Sequence, residues 1–338
     1  VENQTVSVGS VARIVSLSLR ARMSPFRGFP DRQLLVSEPL ALAEDRTNRL
    51  RRIYEKCTAN VWDGPTVFRE AVTRHGGIQL DDAKRPALAS IVARLTWGEL
   101  AAWLVSAELA ERLEDPDARL AASSQVFDEA RHFYILRDYL ALLHVPVPPL
   151  DPYFATALRA LLTTRDLRVK LFAMQILVEG VAQVIFRFLS DEAVEPVLAD
   201  VLGYITRDEA RHVGLGVIHL PQTLSHLSPA ECRRIGLKVR TIGDLLGVSF
   251  VRDVRNFDAL GLSSRELMRQ ADAALTSLSE KLGVVPGTDQ PYFSTDDPSS
   301  PAYSKKLALL FPDPGTRRSL AVQLFFGLVD FGAMVLPS

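Results

Sequence analysis

Cysteine is nearly absent from this chain of 338 residues, with Cys57 and Cys232 the only two. Two cysteines cannot build a disulfide framework or a zinc knuckle, and a reducing, cytoplasmic setting is the plain expectation. An excess of either charge is also missing. Thirty-nine Lys and Arg face 40 Asp and Glu, a formal net charge of −1. No global basic field exists to hold a polyanion, so no nucleic-acid partner is expected. Apolar–polar alternation of period two never runs beyond a few residues, which argues against a sheet. Val1 to Leu19 lacks both a continuous apolar core and a small-residue cleavage site, so no secretory leader is expected there. The most apolar stretch, Leu320 to Pro337, is about long enough to span a bilayer but carries Gln323 and Asp330, and reads as a buried or docking C-terminal helix rather than a membrane-surface one.

What is present is helical periodicity. Apolar residues make up 47% and charged residues 23%, as in an ordinary globular protein. Residues 1–37 show no period and read as an N-terminal arm. Residues 38–286 read as one helical domain, and 287–338 as a linker followed by a helix packed on the same domain. Long helices are expected over about 82–113, 118–144, 165–189, 196–219, 229–257 and 263–282, with shorter ones over 38–57, 152–162 and 317–336. Loops are expected around Trp62–Pro65 and over Gly287–Ser304. The expected class is all-α, with a bundle of long helices in the middle.

Inside that bundle one pattern stands out. The pentapeptide Asp128-Glu129-Ala130-Arg131-His132 recurs eighty residues later as Asp208-Glu209-Ala210-Arg211-His212. Residues three apart share a helix face, so Glu129 with His132, and Glu209 with His212, can grip one ion. Glu99 precedes Glu129 by thirty residues, and Glu179 precedes Glu209 by the same interval. The midpoints fall at the Glu114-Asp115-Pro116 turn and between Asp191 and Pro196. If each segment folds back at its midpoint, the members of each glutamate pair lie level, roughly 22 Å from the turn at about 1.5 Å per residue. Leu95, Trp103, Ile176 and Phe186 place Glu99 and Glu179 on apolar stripes, where a carboxylate is anomalous unless it is a ligand. Four carboxylates at one level repel and resist burial unless cations neutralise them. Two divalent ions balance four carboxylates, and two neutral imidazoles complete the set. Oxygen and imidazole donors with open positions suit iron or manganese.

These residues resemble the ferritin-like di-iron carboxylate superfamily, whose site takes one Glu from each of two helices and Glu-x-x-His from each of two others. The likeness spans about residues 62 to 219. It is nearest to the ribonucleotide-reductase small-subunit-like oxidases and oxygenases, through Asp128 and Asp208 before each motif glutamate, Gly98-Glu99, and Trp62 with Pro65. The resemblance implies a ferritin-like four-helix bundle with flanking helices, and two Fe ions (or an Mn/Fe pair) held by Glu99, Glu129, His132, Glu179, Glu209 and His212, with dioxygen as co-substrate. It implies that Asp208 supports His132 and Asp128 supports His212, with Arg131 and Arg211 pairing the aspartates and Trp62 reaching Asp208. A small-molecule substrate, an external electron donor such as a ferredoxin or reductase, and a homodimer are the expected partners.

Familiar subtype markers are missing. Leu136 stands where the reductase subunit has its radical tyrosine, Ile205 where arylamine N-oxygenases have a third histidine, and Gln183 where several monooxygenases have a threonine. The leading expectation is therefore a dioxygen-activating oxidoreductase, such as a monooxygenase, with a pocket formed by neighbours of the ligands: Thr96, Trp103, Phe133, Gln175, Gln183, Thr206 and Gly216. A radical-storage subunit or a ferroxidase is the alternative. Tyr134, Tyr139 and Tyr204 lie near the ligands in sequence. His75, His144, His219 and His226 fall outside the motif spacing. Gly214-Leu215-Gly216 sits inside a helical segment and is no phosphate loop.

Overall fold

A computed structural model describes residues 49–285, 288–289, 291–292, 300–311, 320, 322–324 and 327–328. The expected arm over 1–37, the start of the first expected helix, and most of the C-terminal helix lie outside them. Among the described residues the structure is all-α, with a lone bridge between Val284 and Pro291. Eleven helices follow in order: α1 Arg49–Ala59, α2 Gly64–His75, α3 Arg85–Arg112, α4 Pro116–Leu142, α5 Pro152–Thr163, α6 Leu167–Phe172, α7 Glu179–Asp191, α8 Pro196–Leu224, α9 Pro229–Leu260, α10 Ser264–Leu282 and α11 Pro301–Leu310. A π-helical stretch, Ala173–Val178, joins α6 to α7 without a break.

The two helical hairpins owe their sharp turns to acid–proline starts. Asp115 caps α4 by accepting from the backbone N–H of Asp117 and Ala118, and Pro116 occupies the first turn, where its missing N–H costs nothing. Glu195 does the same for α8, accepting from Leu198 N ahead of Pro196. Leu113 to Asp115 and Glu192 to Glu195 are thus the only residues between the paired helices. The pairs α3–α4 and α7–α8 form a four-helix core, with α1 and α2 against α4 and α8, and α9, α10 and α5 on the opposite side. Leu88, Val92, Val105 and Leu109 of α3 and Val201, Leu202 and Ile205 of α8 are fully buried and form part of its dry interior. Burying one such side chain contributes roughly 1.5–3 kcal/mol, so the apolar stripes are what hold the hairpins together.

Among the described residues, two helices, Arg85–Arg112 and the continuous run Leu167–Asp191, are long and apolar enough to cross a membrane, but both are mostly buried inside the protein. They are the core helices that carry Glu99 and Glu179.

The structure departs from the sequence reading in four places. Residues 64–75 form a helix where only a loop was expected around its start; Asp63 caps it and Gly76, at φ 70°, ends it, but only Gly64 and Ala71 are buried, so its apolar period is faint. The expected helix over 165–189 is widened to π geometry in its middle. Pro221 does not end α8, which continues to Leu224. Residues 301–310 are helical although the composition suggested a loop as far as Ser304, because Ser300 accepts from Tyr303 N and Pro301 sits in the first turn.

Candidate metal centre

Glu99 comes from the middle of α3, Glu129 and His132 from α4, Glu179 from the first position of α7, and Glu209 and His212 from α8. All six are buried, Glu129, His132 and Glu209 completely. Their donor atoms form two overlapping groups, Glu99–Glu129–His132–Glu209 and Glu129–Glu179–Glu209–His212, each with its atoms within 4.8 Å of one another. Glu129 and Glu209 belong to both groups. His132 Nδ1 lies 3.1 Å from Glu209 Oε1, 3.2 Å from Glu99 Oε2 and 3.6 Å from Glu129 Oε2. His212 Nδ1 lies 2.9 Å from Glu129 Oε1 and 3.0 Å from Glu209 Oε2.

The opposite ring nitrogens face outward to the aspartates. His132 Nε2 is 3.1 Å from Asp208 Oδ2, and His212 Nε2 is 3.3 Å from Asp128 Oδ2. Arg131 donates to Asp128 and Asp208 at 2.5 and 2.8 Å, and Arg211 donates to the same two at 2.8 and 2.6 Å. The Trp62 indole N–H donates to Asp208 Oδ2 at 2.7 Å, and the Arg131 guanidinium lies 4.4 Å over its ring. Holding Nε2 in this way leaves both Nδ1 atoms to face the carboxylates.

The charges of the cluster are strongly coupled. Burial pushes Glu99 and Glu179 well above the usual carboxylate range, and the charges of Glu129 and Glu209 push the same way. Burial would also raise Glu129, but His212 and His132 outweigh it and hold that carboxyl well below the usual range. Burial opposes the charged form of both histidines, yet the surrounding carboxylates raise His132 and His212 well above the ordinary imidazole value. Glu129 Oε2 and Glu209 Oε1 are buried with no hydrogen-bond partner. Orphaned oxygens on the two shared glutamates, both facing His132 Nδ1, fit a pair of cations, which Glu99, Glu129, His132, Glu179, Glu209 and His212 would hold.

A cavity of about 240 Å³ reaches this cluster, with Glu99 and Glu179 in its wall. Its other walls are largely apolar: Leu95 and Ala102 from α3, Phe154 from α5, Val181, Ala182 and Ile185 from α7, Leu246, Gly247 and Phe250 from α9, and Leu267, Met268, Ala271 and Leu275 from α10. Arg94 and Asp272 add charge. Arg94 pairs with the buried Asp253 at 2.7 Å.

None of the seven residues expected to line the pocket is among these. Thr96 and Phe133 border a separate surface hollow with Trp97, Leu100 and Arg137. Trp103 packs its ring 6.2 Å from those of Phe133 and Tyr134. The Thr206 hydroxyl donates back to Leu202 O at 2.7 Å, Gln183 is half-buried outside the cavity wall, and Gly216 lies against Gln175. Gln175 is buried behind the ligands and bonds to Gln125. Spacing from a ligand names residues on the ligand's own helix, whereas much of this wall comes from α9 and α10, whose approach the motif does not encode.

Two further side chains adjoin the cluster. Gln125, one turn before Glu129, donates to Glu129 and Glu179; its position on the motif's face was the available signal. Cys57 lies 3.6 Å from both Asp128 oxygens, and nothing in its spacing marks it. The tyrosines near the ligands in sequence are occupied elsewhere. Tyr139 donates to the buried Glu195 at 3.0 Å, Tyr204 packs 5.0 Å from Trp62, and Tyr134 is exposed.

No family model matches the chain, and no curated protein matches it. Among solved structures it is similar to an R2-like ligand-binding oxidase, a point mutant with an aerobically reconstituted Mn/Fe cofactor, at 18% identity and a TM-score of 0.47, covering 71% of this chain and 92% of that one.

Proposed function

We propose that this protein is a dioxygen-activating, non-haem di-iron oxidoreductase acting on a small, largely apolar organic molecule. The observation that carries the reading is the apolar cavity that ends on Glu99 and Glu179. A pair of iron ions, or one manganese and one iron, would be held by Glu99, Glu129, His132, Glu179, Glu209 and His212, and would supply redox chemistry toward dioxygen. The chain's own residues do the rest. Asp128 and Asp208 fix the histidine tautomers, and Arg131 and Arg211 neutralise the aspartates. Leu95, Phe154, Ile185 and Leu275 exclude water and position the substrate by shape. Insertion of one oxygen atom into a C–H bond, with the other leaving as water, requires two electrons and two protons. An external donor of the ferredoxin or reductase kind belongs to the proposal, as do a homodimer and a cytoplasmic location.

One observation favours a second reading. The Trp62–Asp208–His132 chain of hydrogen bonds links the cluster toward the surface, as a radical-storage subunit would need. Leu136 in place of a tyrosine argues against storage on that helix. The deciding experiment loads iron anaerobically, adds dioxygen by rapid mixing, and follows electron paramagnetic resonance alongside incorporation of labelled oxygen into candidate apolar substrates. Incorporation supports the oxygenase. A stable tyrosyl radical in high yield, with no incorporation, supports the radical subunit.

A further inference from the structure

The two halves of the metal centre are related by the eighty-residue repeat, but their surroundings are not alike. On the Glu179 side, Gln125 Nε2 donates to Glu179 Oε1 at 2.8 Å and to Glu129 Oε1 at 2.9 Å. Gln175 Nε2 in turn donates to Gln125 Oε1 at 2.9 Å. Both glutamines are fully buried or nearly so. The repeat counterparts of Gln125 and Gln175 are Ile205 and Leu95, both buried and both apolar. Among the described residues, Glu99 accordingly has no amide donor from its counterpart positions. Its hydrogen-bond partner is His132 Nδ1. Both Glu99 and Glu179 stand in the cavity wall, so the difference lies in the amides behind Glu179.

The backbone is adapted to this asymmetry. Gln175 lies in the π-helical stretch just before Glu179. Gly216 makes room for it: a Cβ at 216 would sit 2.5 Å from Gln175 Cβ. The repeat counterpart of Gly216 is Leu136. Gln175 Oε1 is buried without a partner, a cost that a purely structural core would avoid by using an apolar residue there.

Resting on the dimetal reading above, we propose that Gln125 and Gln175 are positioning residues that make the two metal positions unequal. The amide chain holds Glu179 in place, so the Glu179–His212 position is preorganised and fills first. The Glu99–His132 position, without such a restraint, fills second and more weakly. Groups that orient a metal ligand are typically worth about 10–100-fold in affinity.

The test titrates the metal-free full chain with Mn(II), following free Mn(II) by electron paramagnetic resonance. Wild type is expected to bind in two resolved steps. Glu99→Gln should remove the weak step and leave the tight one. The double variant Gln125→Leu, Gln175→Leu removes both amides together and leaves neither orphaned; it should weaken the tight step by about 10-fold or more while the weak step changes little. Gln175→Asn, a milder change for use if the double variant does not fold, should weaken the tight step by a smaller factor. Folded variants with both steps as in wild type would overturn the proposal, as would a loss confined to the step that Glu99→Gln removes. Two equal steps in wild type would overturn it while leaving the dimetal reading intact. A wild-type chain that takes up no Mn(II), and no Fe(II) when that is offered instead, would overturn both.

Discussion

Trp62 Nε1 and Asp208 Oδ2 lie 2.7 Å apart, which ties the residue just before the cap of α2 to the carboxylate behind His132. A hydrogen bond to a charged acceptor is worth roughly 1.5–3 kcal/mol. Trp62→Phe keeps most of the ring and deletes the donor. It should destabilise the fold by about 1–2 kcal/mol and weaken metal binding by about 10-fold. Chemical denaturation and a metal titration check the two effects separately.

Gly216 should tolerate no side chain. Alanine in a helix interior is ordinarily favoured over glycine by about 1 kcal/mol. Here the added Cβ would fall 2.5 Å from Gln175 Cβ and 3.0 Å from Ile176 Cδ1, and the first of these is anchored directly to backbone and cannot swing aside. Gly216→Ala should therefore be destabilising by about 1–3 kcal/mol. Thermal unfolding of the metal-free protein reads this directly.

Gly247 offers the opposite case. A Cβ there meets nothing within 4 Å, and the residue borders the cavity. Gly247→Leu should leave folding and metal content unchanged while filling the cavity. Binding of an apolar fluorescent probe should fall several-fold relative to wild type. Undiminished probe binding would place the ligand elsewhere.

Cys57 and Cys232 should be inert in the native protein. Burial pushes both thiols up, and the charge of Asp128 adds to the shift at Cys57 and that of Glu231 at Cys232. A raised thiol pKa means less thiolate at a given pH, so reaction with a thiol reagent at pH 8 should be slow. Both thiols should react after denaturation.

The parts of the site that were legible in the sequence are those fixed by helical spacing. Glu129 with His132, and Glu209 with His212, share a face because they are three residues apart, and the matched turns at 113–115 and 192–195 bring Glu99 and Glu179 level with them. The cavity was not legible, since Leu246, Phe250, Met268 and Leu275 come from helices whose approach depends on tertiary packing. Nor was the π stretch, because Ala173–Val178 has the same apolar pattern an ordinary helix would show. Helix α2 was hidden for the reverse reason: it lies mostly at the surface and buries too few residues to leave a period.

The proposed function depends on the six buried residues holding two metal ions. Metal analysis of the chain purified without added chelator, compared with Glu129→Ala and His212→Ala, tests it most directly. About two ions per wild-type chain are expected, with a loss of both in Glu129→Ala because that carboxylate belongs to both groups, and a loss of at least one in His212→Ala. Equal, substoichiometric metal in all three proteins would contradict it.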